Sequence, residues 1–143
     1  MITNIPIHTY NIENNGYHLL IEAILNNKKA NMLIDTGASQ TVFDKNRITN
    51  FVGKINFDLN DKLSTGLGTN SMQSHRTTIR KIKLGDILIK DYDAILLDLS
   101  HVNRSYKKLK LKPIDGVVGS DLLLRYKAII NYGKPLLKLK TNT

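Results

Sequence analysis

Two apolar runs rich in β-formers, Tyr17 to Leu25 and Ala30 to Ile34, flank the polar stretch Asn26-Asn27-Lys28-Lys29, and the second run ends on Asp35-Thr36-Gly37-Ala38-Ser39. Polar residues between two such runs read as the turn of a hairpin, so the chain is committed early to an antiparallel pair. That pair delivers an acidic side chain to a strand's end. Gly37 lets the backbone turn without a Cβ, so main-chain N–H groups can reach the Asp35 carboxylate in place of solvent. Hydrogen bonds to the charged form keep a carboxylate ionised and aimed. Alone, Asp-Thr-Gly is also an acceptable turn sequence and specifies little.

The rest of the chain also reads mostly as strands. Thr41-Val42-Phe43 is a short strand, and Asp44 to Asn50 a polar connection with room for a helical turn. Lys54 to Leu59 leads toward Leu63-Ser64-Thr65-Gly66-Leu67-Gly68-Thr69-Asn70, a glycine-bearing segment flanked by strand-like sequence. His75 to Leu84 alternates with period two, and Gly85-Asp86 turns it into Ile87-Leu88-Ile89. A further strand spans Tyr92 to Leu97. Asp98 to Lys112 is polar and basic and reads as a surface insertion with a short helix near Ser100 to Leu109. Ile114-Asp115-Gly116-Val117-Val118-Gly119 is a buried strand with glycines at both edges, running into a short helix from Ser120. Ala128 to Asn131, a turn at Tyr132-Gly133-Lys134-Pro135, and Leu136 to Lys140 end the chain as two more strands.

Composition narrows the function classes. A chain of 143 residues reads as one domain, residues 1–143, large enough for its own core. It has no cysteine, which excludes disulfides and thiolate metal sites, and His8, His18, His75 and His101 are scattered in no ligand spacing. Neither a metal nor another cofactor is expected. No stretch approaches a membrane span, and Met1 to Pro6 has no export-signal character, so a soluble cytoplasmic protein is expected. The net charge of +9 could suit nucleic acid, but the basic residues are dispersed and often alternate with apolar ones, as on the solvent face of strands. Stacking platforms are scarce too, with 3 Phe, 6 Tyr and no Trp, so nucleic-acid binding is not expected.

Three elements in order, namely Asp35-Thr36-Gly37, the glycine-bearing segment around Gly66 and Gly68, and Ile114 to Gly119 before a helix, resemble the single-domain, retroviral-type aspartic proteases called retropepsins. The resemblance covers roughly residues 17 to 140. It implies an all-β, retropepsin-like acid protease fold with one short C-terminal helix, acting as a homodimer in which each chain supplies one Asp35. Asp115 and Asp121 lack the following Thr-Gly that would put them in a matching cradle. The implied activity is that of an aspartic endopeptidase on an extended peptide or protein substrate. Asp35, Thr36 and Gly37 would form the catalytic loop, with the Thr36 hydroxyl reaching across the dimer axis. Ala38, Ser39, the flap residues Gly66, Leu67, Gly68 and Thr69, and Val117 with Val118 would border the substrate. Gly119 would be small because two backbones approach closely there. Where retroviral enzymes pair an Asp with an Arg, the corresponding places hold Ser39 and Ser120, so terminal strands interleaved between two chains would carry more of the dimer. The competing implication is a catalytically weak or inactive dimeric peptide-binding module of the same fold.

Overall fold

The structure, a computed structural model, describes residues 1–14, 16–53, 58–59 and 75–142. Strands β1 (Ile2–Pro6) and β2 (His8–Ile12) precede the hairpin of β3 (Gly16–Leu25) and β4 (Lys28–Ile34). Its turn is tighter than the four polar residues suggest. Leu25 pairs with Lys28, leaving Asn26 and Asn27 as a two-residue loop with φ of 46° and 70°. Two left-handed residues match the twist of the flanking strands, and asparagine is among the few side chains that tolerate that region. Lys28 and Lys29 therefore belong to β4.

After the Asp35 loop come β5 (Val42–Asp44), the one-turn helix α1 (Thr49–Val52), β6 (Asp58–Leu59), and the long hairpin of β7 (His75–Leu84) and β8 (Ile87–Leu97). Gly85 opens the tight turn of that hairpin at φ 60°, and a Cβ there would run into Thr3 Oγ1. β8 is one strand where the sequence suggests two, because Asp91 adopts φ 50° without shifting the register against β7. The chain ends with α2 (Ser100–Lys108), β9 (Gly116–Val118), α3 (Ser120–Arg125), β10 (Ile129–Asn131) and β11 (Leu136–Lys140).

Eight strands form one sheet in the order β2-β3-β4-β9-β5-β8-β7-β6, and β3 pairs again with β7 through Ile24 to Lys83 and Leu25 to Ile82. That second pairing closes the middle of the sheet into a barrel. Ile21, Leu25, Met32, Phe43, Ile79, Ile82 and Leu96 fill it, each at most 2% exposed. A fully buried aliphatic or aromatic side chain contributes about 1.5–3 kcal/mol, so this cluster is the main source of stability.

Two expectations change here. The segment from Asp98 to Lys112 is not a surface insertion: Tyr106 of α2 is 1% exposed and joins Leu20, Ile114 and Val117 in a second core cluster. Asn103 brackets Ile114, its Oδ1 accepting from Ile114 N at 2.8 Å and its Nδ2 donating to Ile114 O at 3.1 Å. Tyr106, with Val102 partly buried against the same cluster, docks a helix whose remaining residues are polar. The terminal strands, moreover, pair within the chain. β11 lies between β1 and β10 in a separate three-stranded sheet, with Ile5 opposite Leu137. Both of its edges are therefore occupied by strands of the same chain, leaving no place in β11 for an interleaved strand from a second copy.

Candidate active site

β4 and β9 run parallel, with Ile34 opposite Val118, and Asp35 N donates to Val118 O at 3.0 Å. The chain turns at once, Ala38 N reaching back to Asp35 O at 3.1 Å. Gly37 N donates to Asp35 Oδ1 at 2.9 Å, the one main-chain donor on the carboxylate among the described residues. Gly37 needs no left-handed φ. Its role is spatial, since a Cβ would lie 3.3 Å from Asp35 Oδ1 and crowd the carboxylate. Asp35, Thr36, Gly37 and Ser39 are exposed, and no side-chain hydrogen bond from Thr36 or Ser39 occurs among the described residues.

A second loop, from β9 into α3, braces the first. A Cβ on Gly119 would stand 2.7 Å from both C and O of Gln40 and 2.9 Å from Ala38 O, so the two backbones touch as the sequence suggested. Ser120 N donates to Ala38 O at 2.7 Å, and Ser120 Oγ lies 3.5 Å from Ser39 O. Thr41 Oγ1 accepts from Gly119 N at 3.0 Å and donates to Asp121 Oδ1 at 2.7 Å. Asp121 is thereby engaged away from Asp35. Asp115 is engaged as well: 3% exposed, it accepts from Arg47 Nε at 2.7 Å and Asn31 N at 2.8 Å.

The other residues singled out in the sequence fall in different places. Ala38 packs against the second core cluster, and Val117 and Val118 are buried in the sheet, so these three support the loop from beneath. Gly66, Leu67, Gly68 and Thr69 lie outside the described residues.

Beside Asp35 is a cavity of about 280 Å³, lined by Asp35 and Thr36 together with Tyr17, His18, Leu19, Leu33, Ile34, Ile130 and Tyr132. A larger one, about 520 Å³, opens between α2 and the loop after β5 at the other end of β9, where Asp44, Asn103 and Arg104 line it. Size does not decide between them. The smaller cavity contains the exposed carboxylate, whereas the carboxylates of the larger are held by protein donors: Asp44 by Asn46, Leu99 and Asn103, and Asp98 by Ser100 and Asn46. The bonds from Ser100 and Asn46 hold Asp98 down at about 2.

His18 is the residue that sequence reading left aside. It precedes Leu19, which pairs with Ile34, so the register sets His18 across from Asp35. Its Nδ1 lies 2.6 Å from the hydroxyl of Tyr106, and the rings are tilted at 5.7 Å between centroids. Burial, with a smaller contribution from Tyr10, pushes the Tyr106 phenol up to about 12. The hydroxyl is buried and has no other hydrogen-bond partner among the described residues, so its proton is satisfied only by donation to Nδ1. Strand register from the hairpin could have found His18, but no local signal ties it to Tyr106, 88 positions away.

The profile of the family described as aspartyl protease matches residues 21–122. Among curated proteins none matches the chain. Among solved structures, a retropepsin-like aspartic protease from Rickettsia conorii superposes with a TM-score of 0.63 at 21% identity, covering 99% of this chain and 92% of that one. The retroviral protease-like domain of Ddi1 from Leishmania major gives a TM-score of 0.53 at 15% identity, covering 81% of this chain and 82% of its own. The mostly-β barrel with short helices is thus a retropepsin-like fold.

Proposed function

This chain belongs to the aspartyl protease family, and on that premise we propose that two copies act together as an aspartic endopeptidase, with Asp35 of each as the catalytic pair. The carrying observation is the Asp35 loop itself: an exposed carboxylate at a strand end, one oxygen fixed by Gly37 N at 2.9 Å, the loop braced by the backbone of Gly119 and Ser120. Each chain has one such loop, and Asp115 and Asp121 are occupied elsewhere. A two-fold axis at Asp35 supplies the second carboxylate. Two carboxylates in one site share a proton because both cannot ionise cheaply. The ionised member takes a proton from water, which attacks the scissile carbonyl. The protonated member hydrogen-bonds the carbonyl oxygen as negative charge develops there.

Thr36, whose hydroxyl has no hydrogen bond among the described residues, bonds the partner loop. The second copy docks on the rim around Asp35, where Tyr132 lines the cavity and is 76% exposed. β10 supports this, being an edge strand of the three-stranded sheet. An extended peptide lies across the paired loops, and residues 1–143 form one catalytic domain.

Asp35→Asn tests the reading. The amide is nearly isosteric but cannot act as base, so the variant folds and dimerises while cleavage of a broad peptide library is lost. Cleavage that survives the substitution overturns the assignment. Peptide binding without cleavage by the wild type leaves a binding module in its place.

A further inference from the structure

We propose that His18 is a specificity-determining residue: its Nε2–H, presented in the cavity beside Asp35, donates a hydrogen bond to a substrate side chain that carries a neutral oxygen acceptor, as in glutamine or asparagine. The inference rests on the protease reading for its substrate class and on the geometry of His18 for its chemistry.

Nδ1 takes the proton of Tyr106 at 2.6 Å, so the neutral imidazole carries its own proton on Nε2. The two nitrogens face nearly opposite ways around the ring. With Nδ1 turned toward the buried phenol, Nε2 turns outward, and among the described residues nothing hydrogen-bonds it. His18 is half-buried and lines the same cavity as Asp35 and Thr36. A donor in a partly enclosed space, oriented by a clamp that holds its tautomer, discriminates between an acceptor and an apolar side chain. The clamp is rigid because Tyr106 is 1% exposed and also packs edge-on to Tyr10, with centroids 5.2 Å apart. A carboxylate ligand is disfavoured because Asp35 contributes negative charge to the same cavity. Among the described residues the neighbouring walls hold Tyr17 and Tyr132 and no Lys or Arg.

The test uses octapeptides that place Gln or its near-isostere Leu at each position in turn. Affinity is measured first by fluorescence anisotropy on Asp35→Asn protein, so that it is read without turnover, and then as KM and kcat on the wild type. At one position Gln is expected to bind about three- to tenfold more tightly than Leu, the range of one hydrogen bond, with the difference in KM rather than kcat. In His18→Asn the amide oxygen still takes the proton of Tyr106 but nothing reaches the cavity, and the Gln-to-Leu ratio falls to about one. Tyr106→Phe, which frees the ring without touching the cavity, lowers the ratio partway. Equal binding of Gln and Leu at every position, or a ratio that survives His18→Asn, overturns the proposal. Loss of wild-type cleavage together with a His18-dependent binding ratio sinks the protease reading and leaves this inference standing.

Discussion

The two ends of β9 present two carboxylates under opposite regimes. At the Val118 end, Asp35 is exposed and receives one main-chain N–H. At the other end, about 10 Å away along three strand residues, Asp115 is buried, ion-paired to Arg47 and bonded to the backbone of Asn31. Nearby Asp44, 1% exposed, is held by neutral donors alone among the described residues. Saturation fixes structure and under-saturation leaves chemistry available. β9 links the two, since its register against β4 ties the reactive loop after Ile34 to the polar anchor at Asp115.

The sharpest way to break this comparison is to remove each carboxylate in turn. Asp35→Asn is expected to abolish peptidase activity while leaving unfolding free energy within about 0.5 kcal/mol, as for an exposed site. Asp115→Ala should do the reverse, costing about 3 kcal/mol. That is the low end for losing one member of a buried pair, because Arg47 keeps 34% of its side chain in solvent. Urea unfolding followed by circular dichroism measures both, and a destabilised Asp35→Asn with an undisturbed Asp115→Ala would invert the contrast.

A smaller effect is expected at the contact that braces the reactive loop. Gly119→Ala sets a methyl against the backbone of Gln40 and Ala38, and overpacking of this kind costs about 1–3 kcal/mol. The loop must move to accommodate it, so kcat should fall further than stability alone requires. Unchanged kcat in a folded Gly119→Ala protein would separate the brace from the chemistry.

The smallest effect belongs to Asp98. Its carboxyl sits at about 2 in the fold against an ordinary 3.8, so the stabilisation is present above the higher value and is lost as pH falls toward the lower. Asp98→Ala should therefore lower the thermal midpoint slightly at pH 7 and by much less at pH 2, where the folded carboxyl is about half protonated. A difference between variant and wild type as large at pH 2 as at pH 7 would assign the role of Asp98 to packing instead of charge.

Local signals made much of the molecule legible. The hairpin into Asp35, the alternation of β7 and the closeness implied by Gly119 all depend on neighbours in sequence, where periodicity and turn chemistry act. What escaped depends on distant partners. Tyr106 looked like one aromatic in a basic, polar stretch, and only its packing on Leu20 and Ile114 makes it a core residue. Arg47 and Asp115 are 68 positions apart, and neither carries a local sign of the other. Leu136 to Lys140 was legible as a strand, and in the fold it buries one face, Leu137 and Leu139 alternating with exposed Lys138 and Lys140. An alternating strand fits a partner from its own chain as well as one from a second, so the pattern could not choose β1 and β10 as its neighbours.

The brace on the Asp35 loop also has a consequence in time. Asp35 is tied to Val118, Ala38 to Ser120, and Thr41 to Gly119, each across about eighty residues of chain. Contacts this far apart form only after the entropy of closing a long loop has been overcome, which makes them late events in folding. As the chain leaves the ribosome, the segment around Asp35 emerges long before anything exists to shape it. The loop therefore gains its fixed geometry only once the segment around Val118 to Ser120 has been made, and the growing chain carries its carboxylate without a site.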